Sequence, residues 1–240
     1  KPDLIIHLAG ETSHSKSFEN PIDDIDSNSK STLFILEKIK KMKRKCAFIL
    51  GSTFIVVGKP NKLPVTEDTP CNPTTIYGTN RLTSEFYCKI YHNVYGINTK
   101  IFRITNSFGP REQTIPTKNA INYLIHEAFN GNNITIFNQG KIFRDLIYIT
   151  DVISGIKTII TKGKPGELYW ISSSKKTAVG ADSYIIKVDG YGNIIRSFAR
   201  DTPDRLRFGD FNYTLHSFDW IRPWFKTYFL QTELYKCIGS

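Results

Sequence analysis

The chain has 240 residues, a length that fits one domain or one domain with a small lobe, and 40% of them are hydrophobic, with 16 Phe, 12 Tyr and 3 Trp available for a core. No run of about 18 apolar residues exists, which excludes a membrane-spanning helix. The net charge of +10 raises nucleic acid as a partner, but much of the excess sits in Lys40-Lys41-Met42-Lys43-Arg44-Lys45 at the end of a helical pattern, where cations favour the helix dipole; with no interleaved aromatic residues and no binding motif, nucleic acid is set aside.

A strand is predicted at 4–9, followed by a polar loop at 11–20 and a helix at 25–43. The acidic run Asp23, Asp24 and Asp26 reads as the acidic start of that helix; no ligand cluster accompanies it, so no metal site is assigned. His7, alone on its strand, reads as a hydrogen-bonded core residue. A strand at 46–52 leads into a loop at 57–75 carrying Pro60, Pro64, Pro70 and Pro73, expected to face a substrate. The spacing of Leu82, Phe86, Ile90 and Val94 predicts a helix over 76–95, closed by Gly96. Further elements are a strand at 98–104, a helix at 118–130, strands at 134–137 and 144–148, and a helix at 149–162; residues 211–236 are rich in Tyr, Trp and Phe. Strands alternating with helices imply a parallel sheet covered on both faces. Cys46, Cys71, Cys88 and Cys237 are scattered without a C-x-x-C pair, which argues against zinc or redox chemistry and for a reducing, cytoplasmic setting.

Gly51 to Arg81 is the most informative stretch. The apolar run Ala47-Phe48-Ile49-Leu50 delivers Ser52 and Thr53 at a strand end. After the Pro-rich loop, Tyr77 and Arg81 open a helix four residues apart, on one face. A phenol ordinarily ionises near pH 10, and an adjacent cation lowers that value. A hydroxyl, a phenol and a cation can together move a proton on and off a sugar hydroxyl. The competing assignments are a turn or cap role for Thr53 and a surface pair of Arg81 with Glu85 at i+4.

This stretch resembles the extended short-chain dehydrogenases/reductases, specifically the NAD-dependent epimerase/dehydratase group that acts on nucleotide sugars. Lys1 to Gly10 is similar to the group's fourth strand and the loop under the nicotinamide, and Asp26, Asn28, Ser31-Thr32 and Leu36-Glu37 to the next helix. Arg103-Ile104-Thr105-Asn106-Ser107-Phe108-Gly109-Pro110-Arg111, Arg144 to Val152, Arg207-Phe208-Gly209-Asp210 and Trp220-Ile221-Arg222-Pro223 follow in the family's order, while residues 175–200 match poorly. The resemblance implies a Rossmann-like α/β fold, a parallel sheet with helices on both faces, its first strands missing, and a small C-terminal substrate-binding lobe. Residues 1–115 are then a partial NAD-binding domain carrying the catalytic residues, and 116–240 a mixed segment that adds a sheet strand and the lobe.

The resemblance further implies Thr53 as catalytic hydroxyl, Tyr77 as acid/base and Arg81 at the family's lysine position. Leu8, Ala9, Gly10, Tyr77 and Arg81 are expected to meet the cofactor, NAD or NADP. Ser52, Asn106, Arg144 and Arg207 are expected to meet a nucleotide-sugar substrate, the arginines because their forked guanidinium suits phosphate. A homodimer is expected. No G-x-G-x-x-G or G-x-x-G-x-x-G occurs, so the pyrophosphate turn of such a fold is missing; the chain reads as a fragment of a larger protein. The expected activity is that of an epimerase-type oxidoreductase. Phe54 and Ile55 follow Thr53 where the family's 4,6-dehydratases carry acids, which disfavours dehydration because apolar side chains cannot handle the proton. The alternative is a degenerate, non-catalytic nucleotide-sugar-binding or scaffold protein of the same fold.

Overall fold

In a computed structural model the described residues are 2–42, 45–113, 115, 120–130, 132 and 142–174, with the backbone of 177–179, 185–188 and 194–198. The strand predicted at 134–137, the aromatic stretch 211–236, Cys237, Arg207-Phe208-Gly209-Asp210 and Trp220 to Pro223 lie outside them.

The chain folds as two compact units, one of residues 1–107 and 150–173, the other of 108–149 and 174–240. The first unit is built on four parallel strands in the order β1 (Leu4–His7), β2 (Ala47–Thr53), β3 (Thr99–Ile104) and β7 (Leu168–Ile171). Phe48, Ile49 and Leu50 are fully buried. Successive strand residues face opposite sides, so an unbroken buried run means a sheet covered on both faces. On one face Phe48, Leu50 and Ile101 pack with Leu36, Ile39, Cys88 and Tyr91 from two helices. On the other, Lys100 Nζ donates to the Ile159 and Ile160 carbonyls, 3.0 and 3.2 Å away, near the end of α6 (Ile149–Lys162).

Short helices α1 (His14–Glu19) and α2 (Pro21–Ile25) precede the long helical segment that ends in α3 (Ser31–Lys40). Helix therefore begins earlier than the predicted 25, because Pro21 takes the first helical position, where its missing N–H costs nothing, and Asp23 and Asp24 do fall in that first turn. A π-helical turn, Asp26–Lys30, joins α2 to α3. It was not foreseen. The widened turn frees a carbonyl, and the Asn28 oxygen instead accepts the Ser31, Thr32 and Ser84 hydroxyls at 3.1, 2.9 and 3.3 Å.

Helix α4 (Ile76–Tyr95) has the expected bounds. Thr75 caps its start by accepting from the Gly78 amide at 3.0 Å, and Gly96 ends it in the left-handed conformation, φ 65°. Its apolar stripe, however, points outward: Phe86, Ile90 and Val94 are exposed, and the buried face is Tyr77, Gly78, Asn80, Arg81, Ser84, Glu85, Cys88 and Tyr91. A mostly polar helix face against a sheet needs partners, and those partners build the site described below.

In the second unit, α5 (Ala120–Phe129) carries Asn122, whose amide donates to the Gly109 carbonyl and to Glu112 Oε2 at 3.0 and 2.5 Å. The strand predicted at 144–148 is broken at Asp145 into β5 (Ile142–Arg144) and β6 (Leu146–Tyr148); β5 pairs antiparallel with β8 (Thr177–Val179). β9 (Ile185–Val188) and β10 (Ile194–Phe198) form an antiparallel pair. β4 (Asn106–Phe108) ends the first unit and opens the second.

Candidate active site

The site lies in the first unit, where the carboxyl end of β2 runs under the first turns of α4. In open α/β sheets ligands bind at such carboxyl ends. Gly51, Ser52 and Thr53 come from the strand; Tyr77, Arg81 and Glu85 come from the same face of the helix, one turn apart.

Glu85 is 1% exposed and does not pair with Arg81. Arg103, beneath it on β3, takes the carboxylate with two hydrogen bonds, Nε to Oε1 at 3.0 Å and Nη2 to Oε2 at 2.7 Å. Such a forked pair is the strong form of an arginine–carboxylate contact. Ser52 Oγ donates to the same carboxylate at 2.5 Å. The Ser52 hydroxyl, expected at the substrate, is thus spent inside the protein, fastening strand to helix. Arg103 Nη2 also reaches Cys71 Sγ at 3.0 Å, which ties the Pro-rich loop to the same network.

Arg81, released from Glu85, lies 3% exposed. Its Nη1 donates to the Gly51 carbonyl at 3.3 Å, its guanidinium carbon sits 5.6 Å from the Tyr77 ring centre, and its Nε has no partner among the described residues. A buried guanidinium stays charged; its field is a reason, after burial itself, that the His7 imidazole is held below its ordinary value. His7 is buried and meets Ser31 Oγ at 3.3 Å, the hydrogen-bonded core role expected of it.

Tyr77 is 6% exposed, and its hydroxyl makes no hydrogen bond to any described residue. Arg81 lies over its ring, and His14 meets the ring edge-on at 5.5 Å and 79°. Thr53 Oγ1 accepts from the Ile55 amide at 3.3 Å and so caps a one-turn 3-10 helix, Phe54–Val57, that sequence patterning missed. The capping role uses the oxygen as acceptor and leaves the hydroxyl proton to donate.

Of the residues expected at the cofactor, Leu8 is 57% exposed and lies over Gly51. Ala9 is exposed, and Gly10 fills a place where no side chain fits. A Cβ on Gly10, at φ 149°, would stand 2.3 Å from Asn28 Oδ1 and 2.5 Å from Arg81 Nη2. Asn106 is half-buried at the start of β4. In the second unit, Arg144 is exposed and donates to its neighbour's carbonyl, Phe143 O, at 3.0 Å; the Asp145 carboxylate accepts from the Ser174 amide at 3.0 Å.

Sequence reading missed the buried pair Asp24–Asn80. Asn80 Nδ2 donates to Asp24 Oδ1 at 2.7 Å, and Asp24 Oδ2 has no partner among the described residues. In sequence Asp24 is part of an acidic helix start, and nothing in its local pattern shows that it turns inward.

The profile of the NAD dependent epimerase/dehydratase family matches residues 1–172. The chain belongs to that family. A putative UDP-glucose 4-epimerase of Methanocaldococcus jannaschii is 32% identical over 185 residues, covering 77% of this chain and 60% of the relative. A dTDP-glucose 4,6-dehydratase of Escherichia coli is 30% identical over 187 residues, covering 70% and 51%. Among solved structures, the UDP-glucose 4-epimerase of Thermotoga maritima with UDP-glucose is 27% identical with a TM-score of 0.70, over 74% of this chain and 57% of that one. The UDP-glucuronic acid 4-epimerase of Bacillus cereus, in complex with UDP-glucuronic acid and NAD, is 29% identical with a TM-score of 0.67, over 74% and 56%. The Rossmann-like sheet is that of these enzymes, and the chain spans little more than half the length of the relatives it matches. Among the described residues no helix is long and apolar enough to cross a membrane.

Proposed function

We propose that the whole protein is an epimerase-type oxidoreductase acting on a nucleotide sugar, with Tyr77 as its acid/base, Thr53 as the hydroxyl that orients the reacting sugar oxygen, and Arg81 as the fixed cation beside the phenol. The observation that carries this reading is Arg81 itself: a buried guanidinium with no carboxylate partner among the described residues, held to Gly51 and laid against Tyr77. In this reading the Tyr77 phenol takes and returns the proton of a sugar hydroxyl, with the fixed charge of Arg81 beside its ring. Thr53 donates to the same sugar oxygen and holds it in line. Phe54 and Ile55, turned into the 3-10 helix after Thr53, offer no acid for eliminating water, so dehydration is set aside although a dehydratase is among the relatives.

The residues present fit the nicotinamide end of NAD or NADP. The bare Gly10 backbone and the Arg81 guanidinium, whose Nε has no partner among the described residues, supply polar contacts beside Tyr77, and Leu8 and Ala9 lie open next to them. When bound, the cofactor accepts and returns hydride. Arg144, Arg207 and Asn106 are proposed to meet the substrate's diphosphate.

The outward stripe of Phe86, Ile90 and Val94 on α4, 53%, 49% and 65% exposed, supports a homodimer through that helix. Among the described residues no disulfide joins Cys46, Cys71 and Cys88, which supports a cytoplasmic setting.

The deciding experiment incubates the complete protein and NAD with UDP- and dTDP-hexoses, followed by chromatography for C4 and C2 epimers. Epimer formation is expected. Binding of nucleotide sugars without conversion of any of them would hand the protein to the non-catalytic alternative.

A further inference from the structure

Thr53 and Tyr77 stand on elements joined by the long Pro-rich loop, and chemistry between positioned groups is sensitive to their spacing: a displacement of about 1 Å can cost about 10²-fold in rate. The foot of that loop, Cys71-Asn72-Pro73, is fastened three ways. The Asn72 amide donates to the Val57 carbonyl at 3.2 Å. Gly58, at φ 69°, lies so close that a Cβ there would stand 1.8 Å from the Asn72 carbonyl oxygen. Pro73 and Ile55 flank Gly78 in the first turn of α4, 3.0 and 3.2 Å from where its Cβ would be. Ile55 belongs to the 3-10 turn that Thr53 caps, so this packing seats the helix start against the strand end.

The third fastening is polar. Arg103, 5% exposed, uses Nε and one Nη2 N–H on the Glu85 carboxylate and donates from Nη2 to Cys71 Sγ as well, at 3.0 Å. Trp170 lies over the guanidinium, its ring centre 5.3 Å away. Glu85 in turn takes the Ser52 hydroxyl, next to Thr53, and sits on the helix that carries Tyr77. One guanidinium therefore holds the strand end with Thr53 and the helix with Tyr77 through Glu85, and the loop between them through Cys71. A thiol sulfur is a weak acceptor, so this contact adds little to stability. What it fixes is where the loop foot lies.

We propose that Cys71 is a positioning residue of the site: its thiol, held by Arg103, sets the loop foot and with it the gap between the Thr53 and Tyr77 hydroxyls. The inference rests on Tyr77 being the acid/base of an epimerase. Epimerisation takes a proton from the sugar oxygen and returns it across this gap in every turnover, so a widened gap slows both transfers while the groups that bind the nucleotide stay in place.

The test measures epimerisation by the complete protein, with urea unfolding beside it. Cys71→Ala is expected to lower kcat about tenfold, with KM and the unfolding midpoint unchanged, and Cys71→Ser, whose oxygen also accepts from Arg103, to recover most of the loss. Parental kcat in Cys71→Ala overturns the proposal. So does a loss that serine does not restore, or one that comes with a lower unfolding midpoint. Tyr77→Phe separates the two levels. If it is fully active, the acid/base assignment itself fails; if it is inactive while Cys71→Ala is fully active, the positioning role alone fails.

Discussion

Gly10 shows how one residue fixes the site. Its φ of 149° belongs to a region L side chains avoid, and a methyl there would collide with Asn28 and Arg81 together. Gly10→Ala is expected to destabilise the fold by about 1–3 kcal/mol, read as a lower midpoint in urea. An unchanged midpoint would mean that the loop and the guanidinium give way freely. His7 sets a pH dependence. Its imidazole is held below the ordinary 6.5 by burial and then by Arg81, so the unfolded chain binds that proton more tightly than the folded one. Stability is therefore expected to be full above about 6.5 and to fall as pH drops below it. His7→Asn should flatten that part of a melting-temperature profile between pH 5 and 7.5, and a profile as steep as the parent's would contradict the assignment.

At the scale of elements, α4 is held to the sheet by its polar face. Glu85 binds Ser52 on β2 and Arg103 on β3, so one carboxylate spans two strands. Breaking a buried ion pair from one side leaves the other charge stranded, at a cost of about 3–5 kcal/mol. Glu85→Gln is expected to lose that much in denaturant unfolding, while Ser52→Ala loses about 1 kcal/mol. Equal effects from the two would show that the Arg103 pair is not the fastening. The helix was legible in its bounds because Thr75, the apolar period and Gly96 are local signals. Which face it buries was not. Apolar residues at helical spacing usually mark the inner face, but here Phe86, Ile90 and Val94 point outward. Likewise, Glu85 at i+4 from Arg81 suggested a surface pair, whereas Arg103, 18 residues further on, takes it through the parallel register of β2 and β3. The π turn and the capping role of Thr53 also depend on contacts that no short window contains.

For the whole molecule, the family and the parallel sheet were readable because several motifs occur in order along the chain, and the profile match over residues 1–172 agrees with them. The geometry of the proposed site was readable in part: Tyr77 and Arg81 share a buried helix face beside the end of β2, whereas the Ser52 hydroxyl turns inward to Glu85 and the buried Asp24–Asn80 pair carries no motif. The homodimer proposed through the α4 stripe predicts that Phe86→Asp shifts sedimentation from dimer to monomer; a parent that sediments as a monomer contradicts it. The central claim is that Tyr77 moves the substrate proton under the charge of Arg81. Its most direct test is the rate of nucleotide-sugar conversion by the complete protein and by its Tyr77→Phe and Arg81→Lys variants. Loss of the phenol is expected to slow turnover by about 10²–10⁴-fold, while lysine, which keeps the cation, is expected to sustain it. Tyr77→Phe turning over as fast as the parent would contradict the account.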